Sequence, residues 1–131
     1  YNRDFNIMED DELKSLSLSQ AKPAEIRPPE ENQDLLSLKE IIIKFKEKDV
    51  KIILFTTPQH KYYYDLVDSS EKIAFEKILT EIHESSGLEI HSFVEKYSDL
   101  EIWRNPTHIV VSKSASIFSD DIARLILEEI K

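Results

Sequence analysis

The sequence predicts an α/β fold built on a parallel sheet, and three observations carry that expectation. Apolar patterns of helical and strand period alternate along residues 35 to 131. The run Val50-Lys51-Ile52-Ile53-Leu54-Phe55-Thr56 is β-branched, apolar and of strand length. Its apolar residues are continuous rather than alternating, which fits a strand covered on both faces, as in parallel sheets with right-handed crossover connections.

Residues 1 to 34 read as an acidic, proline-containing arm or long loop. Asp10-Asp11-Glu12-Leu13-Lys14 and Leu16-Ser17-Leu18 allow a helical turn or two; Lys22-Pro23 and Arg27-Pro28-Pro29 interrupt anything longer, because proline lacks an N–H and crowds the preceding turn. From Asp34, an N-cap residue type, Leu35, Leu38, Ile41, Ile42 and Phe45 recur at helical spacing. The charged turn Lys46-Glu47-Lys48-Asp49 ends that helix. The strand of residues 50 to 56 follows and is closed by Thr57-Pro58, and Gln59 to Val67 reads as a loop or irregular helix. Asp68 with Glu71 has the spacing of a capping box. Ile73, Phe75, Ile78, Leu79 and Ile82 then give an apolar stripe that runs down to Gly87, which stands where a helix C′ residue belongs. Leu88 to Phe93 reads as a short strand and Val94 to Trp103 as a loop or brief helix. Ser114 to Ile130 reads as a terminal helix with Ile117, Phe118, Ile122, Leu125, Ile126 and Ile130 as its apolar positions. Two strands are few against the roughly five or six of an average sheet. The sheet therefore reads as incomplete, with further strands in the arm, in another chain or in a missing N-terminal part.

Composition narrows the chemistry. The 131 residues suit one domain, here residues 35 to 131, with a single core. Of the net charge of −9, −5 falls in residues 1 to 34. An acidic chain repels phosphate backbones and anionic lipid heads, so neither nucleic acid nor a membrane surface is an expected partner. No apolar run approaches the roughly 20 residues of a membrane span. The absence of cysteine excludes disulfides, thiolate zinc sites and cysteine nucleophiles. Four histidines without paired spacing point to no metal site, and no cofactor is expected. One glycine is too few for a phosphate-binding loop, a dinucleotide fingerprint or a nucleophile elbow. The chain opens on Tyr1 without a signal-peptide pattern and reads as a processed or excised piece of something longer. Its compartment is not fixed; a soluble protein, exported or held at a cell surface, fits.

Four stretches in order, KIILFTTPQH, EKIAFEKILTEIHESSG, LEIHSF and WRNPTHIVVSKSASIFSDDIARLILEEI, resemble the C-terminal half of SGNH/GDSL hydrolases. The last is similar to that family's closing Asp-x-x-His block, which is followed by an apolar step, a small-residue turn and a helix. The resemblance spans about residues 35 to 131 and implies a three-layer αβα, flavodoxin-like arrangement. It places His108 at the position of the general base and Asn105 where the family has an aspartate. The family's serine nucleophile and oxyanion donors lie in earlier glycine-containing blocks that have no counterpart here. The implied activity is cleavage or transfer of an ester, on a small ester or an acylated carbohydrate. An aspartate accepts the Nδ1 proton and stabilises the imidazolium; an amide can orient the ring but adds no charge. Activity should therefore be weak or absent, and a degenerate accessory or binding subunit is the alternative.

Each candidate has a plainer reading beside the functional one. His108 is a base or a loop histidine packed beside Trp103, and Asn105 is its orienter or simply a turn residue ahead of Pro106. His60 follows the C-terminal end of the first strand, where open α/β sheets place their ligand crevices, or is an exposed loop histidine. Tyr62-Tyr63-Tyr64 form a substrate platform or pack down as a lid over the sheet. His60, Tyr62, Tyr63 and Trp103 are thus the expected pocket residues. His83 and His91 read as structural or solvent-facing. Ser69, Ser70 and Ser112 read as helix caps and Ser85 and Ser86 as a helix end.

Overall fold

A computed structural model describes residues 6–21 and 26–129 of the chain. It shows a mixed α/β structure in which helices dominate and parallel pairing is confined to one small sheet. In chain order the elements are α1 (Asp10–Gln20), α2 (Gln33–Lys46), β1 (Leu54–Phe55), α3 (Lys61–Tyr64), α4 (Ser69–Ser86), β2 (Ile90–His91), β3 (Trp103–Asn105), β4 (His108–Ile109) and α5 (Ile117–Glu129). Single 3-10 turns stand at Pro29–Glu31 and Lys113–Ala115. The chain divides into two units rather than gathering around one core. Among the described residues, one draws on 6–21, 56–67 and 92–129, the other on 26–55 and 68–91.

In the second unit α2 is capped by Asn32, not by Asp34: the Asn32 side chain accepts a hydrogen bond from the Leu35 N–H at 3.1 Å. Asp34 falls in the first turn, where its charge favours the positive end of the helix. The charged turn ends α2 as expected. Val50 N–H donates to the Phe45 carbonyl at 3.0 Å while Asp49 takes a left-handed φ of 56°. Leu35 and Ile42 of α2 and Ile82 of α4 form the buried cluster, with Leu38, Ile52, Leu54, Ile78, Leu88 and Ile90 packed against it. A Lys39–Glu81 ion pair at 2.5 Å also joins the two helices.

The two predicted strands do pair in parallel, Leu54 with Ile90 and Phe55 with His91. Their predicted lengths do not hold. Residues 50–53, 56, 88–89 and 92–93 lie outside the ladder, because a strand extends only as far as a neighbour supplies hydrogen bonds. Phe55 is 41 % exposed, so this strand is not covered on both faces.

The Asp68 cap and the Gly87 stop of helix α4 match their sequence signals. The Asp68 carboxylate accepts from the Ser70 N–H at 2.7 Å, and Gly87, at φ 68°, donates its N–H to the His83 carbonyl. Ser85 and Ser86 bond back to the carbonyls of Glu81 and Ile82, and the Lys46 ammonium donates to the Ser86 carbonyl. Ser69 and Ser70, expected as caps, belong to the first turn instead.

The first unit changes the reading of the arm. Helix α1 has 11 residues, and Leu13 lies in a cluster with Phe93, Tyr97, Ile102, Trp103, Val110 and Ala115. One turn on, the fully buried Ser17 donates its hydroxyl to the Leu13 carbonyl at 2.7 Å. A serine on the inward face hides the helical apolar period, which is why the arm reads as only a turn or two. Lys22-Pro23 and Ile130 lie outside the described residues. Where a loop or brief helix was expected to end at Trp103, β3 and β4 form an antiparallel hairpin, Trp103 opposite Ile109 and Asn105 opposite His108. Helix α5 starts at Ile117; Phe118, Ile122 and Leu125 pack on the cluster, while Ile117 and Ile126 are exposed. No helix among the described residues is long and apolar enough to cross a membrane.

Candidate functional site

Asn105 and His108 are the two ends of the β3–β4 turn, with Pro106 and Thr107 between them. His108 therefore stands in a hairpin. Pro106 is fully buried, and its carbonyl accepts from the His60 N–H at 2.9 Å. The turn is further held by its flanks: Val110 N–H donates to the Ile102 carbonyl and Met8 N–H to the Trp103 carbonyl, both at 2.8 Å.

Three groups converge on one atom, the Asn105 Oδ1. They are the Thr107 N–H at 3.0 Å, the Thr107 hydroxyl at 3.2 Å and the His108 Nδ1 at 3.0 Å. The Thr107 N–H needs an acceptor and so fixes the oxygen, rather than the NH2, of the amide on this side. A carbonyl oxygen only accepts, so the Nδ1 contact is a hydrogen bond in the form that carries a proton on Nδ1. Nε2 then carries the lone pair, on a ring that is exposed.

The expected pocket residues part company. Trp103 is wholly buried, donates its indole N–H to the Tyr97 carbonyl at 3.3 Å and is the largest side chain of the core. His60 is 4 % exposed rather than a solvent-facing loop residue. Its Nδ1 accepts from the Tyr62 N–H at 3.2 Å, capping α3, and its ring packs edge-on to Trp103 with centroids 5.5 Å apart. Burial, reinforced by the neighbouring Lys61, lowers its pKa below the ordinary 6.5. Tyr62 packs on the core and donates its hydroxyl to Asp10 at 2.6 Å, which raises its pKa. Tyr63 is half-buried.

Sequence reasoning passed over Thr107, although it lies between the two residues singled out. It also passed over Asp121, whose carboxylate accepts from the Tyr97 hydroxyl and from Lys96 at 2.9 Å, with Arg124 at 3.4 Å. The Tyr97 hydrogen bond first, then Lys96, holds Asp121 below the usual carboxylate range, while burial pushes Tyr97 up. No local pattern announces such a partner 24 residues away. A groove on the other unit, along α4 beside Pro29, is lined mainly by charged side chains and contains none of the candidate residues. No group of three or more histidines and carboxylates suited to a metal occurs among the described residues. Comparison of the chain with protein-family models, with curated proteins and with solved structures gave no match.

Proposed function

We propose that residues 35 to 131 are the C-terminal portion of an SGNH/GDSL-like domain, three-layered and flavodoxin-like when complete, that cleaves or transfers an ester. The substrate class is a small ester or an acylated carbohydrate. His108 is the general base and Asn105 its orienter, while the serine nucleophile and oxyanion donors come from a segment or chain other than residues 1 to 131. The observation that carries this reading is the 3.0 Å contact of His108 Nδ1 with Asn105 Oδ1, which leaves Nε2 as the basic nitrogen of an exposed ring. Among the expected pocket residues, Tyr63 is the better candidate for substrate contact, since Trp103 presents no surface.

A second reading is favoured by the nature of the partner. Asn105 is neutral, so it gives the imidazolium no charge stabilisation, as suits a degenerate, non-catalytic accessory or binding subunit. Hydrolysis of p-nitrophenyl acetate by the complete protein separates the two. If His108 is the base, His108→Ala lowers kcat by about 100-fold or more, and Asn105→Asp raises it by about tenfold or more. Equal rates for the wild type and His108→Ala leave the binding reading in place.

A further inference from the structure

We propose that Thr107 is a positioning residue for His108, its hydroxyl acting with Asn105 Oδ1 as a joint acceptor for the Nδ1 proton in place of a carboxylate. This rests on the reading of His108 as a base. The directions of the hydrogen bonds carry it. Asn105 Oδ1 can only accept, so the Thr107 hydroxyl hydrogen points at it across 3.2 Å. With its one hydrogen so committed, Thr107 Oγ1 can meet His108 Nδ1, 3.0 Å away, only as an acceptor. The Nδ1 proton is then shared between two oxygens, each 3.0 Å from the nitrogen.

Donation by the hydroxyl also makes its own oxygen the stronger acceptor for the Nδ1 proton. When Nε2 takes up a proton, two negative dipole ends already face the charged ring and need no rearrangement. The group is held in place from behind. Pro106 fixes its own φ and is fully buried, its carbonyl is tied to the His60 N–H, and the β-branched Thr107 has few rotamers to choose from.

The test is the tautomer of His108, read from the two ring nitrogens of the 15N-labelled chain by long-range 1H–15N correlation, well above the ordinary histidine pKa. His108→Gln assigns the signals against those of His60, His83 and His91. The wild type should be chiefly in the Nδ1–H form. Thr107→Val should lower the ratio of Nδ1–H to Nε2–H about fivefold, the equivalent of one ordinary net hydrogen bond, and Thr107→Ser should restore it. A wild type chiefly in the Nε2–H form overturns the proposal without recourse to any variant, as does an unchanged ratio in Thr107→Val or, should that variant not fold, in Thr107→Ala. The readout needs no turnover. A tautomer shift in the chain, with no ester hydrolysis by the complete protein, sinks the enzymatic reading and leaves the placement of Thr107 standing.

Discussion

His60 shows how far the surroundings of one side chain can depart from what its place in the sequence implies. It follows a strand and a proline, as loop residues do, yet it is buried, capping α3 through Nδ1 and packed on Trp103. A pH dependence follows. Because burial holds its folded pKa below 6.5, the unfolded chain takes up the proton first as the pH falls. The stability that His60 contributes is thus full above 6.5 and is lost as the pH falls from 6.5 towards the folded value, by at most about 1.4 kcal/mol per pH unit. His60→Asn keeps a cap oxygen without a titrating ring. Urea unfolding followed by the fluorescence of Trp103, the single tryptophan, should therefore show a smaller loss between pH 7 and 5 in this variant than in the wild type. Equal losses would place the pH dependence elsewhere. Asn105 and His108 were legible because their chemistry is local, three residues apart. The Tyr62–Asp10 and Tyr97–Asp121 bonds were not, since nothing in a linear pattern specifies partners 52 and 24 residues away.

Among the elements, the two helices of the second unit end in opposite ways, and the contrast can be measured. Helix α4 stops at Gly87, whose left-handed φ of 68° costs glycine nothing, with no atom within 4 Å of where a Cβ would lie. Gly87→Ala should lose about 1 kcal/mol through backbone strain alone. Helix α2 ends with Asp49 in the same region, at φ 56°, so Asp49→Gly should gain roughly 0.5 to 1 kcal/mol. Urea midpoints moving in these opposite directions would verify both caps; a destabilised Asp49→Gly would mean that the aspartate side chain contributes more than its backbone costs. Helices α2 and α4 and their stops were readable, because caps and 3.6-residue periods are short-range chemistry. Strand lengths and the β3–β4 hairpin were not, because β-structure depends on which segment comes alongside. Asn-Pro-Thr-His reads as a turn in either setting.

For the whole molecule, the apolar surface left outside the two clusters is the main fact. Helix α2 exposes Ile41, Ile43 and Phe45 beyond the face it buries, and Phe55 on the parallel pair is also exposed. Helices that are apolar beyond one stripe are ordinarily covered. Replacing Ile41 and Ile43 by glutamine should change unfolding free energy by no more than about 0.5 kcal/mol per site, while reducing concentration-dependent self-association in light scattering. A loss well above 1 kcal/mol would show instead that the chain's own fold buries these side chains. The parallel sheet among the described residues has two strands, and Phe55 on it is exposed.

By itself the sequence determined the mixed α/β class, the course of α2 and α4 with most of their end signals, the parallel relation of β1 and β2, and the acidity of the chain, all of which follow from local composition and period. Tertiary structure decided that α1 belongs to a core, that Trp103 and His60 are interior, and that His108 sits in a hairpin with Thr107 and Asn105 against its Nδ1. The physical reason is that burial and strand pairing depend on distant segments meeting, whereas capping, helical spacing and turn chemistry act within a few residues of the chain.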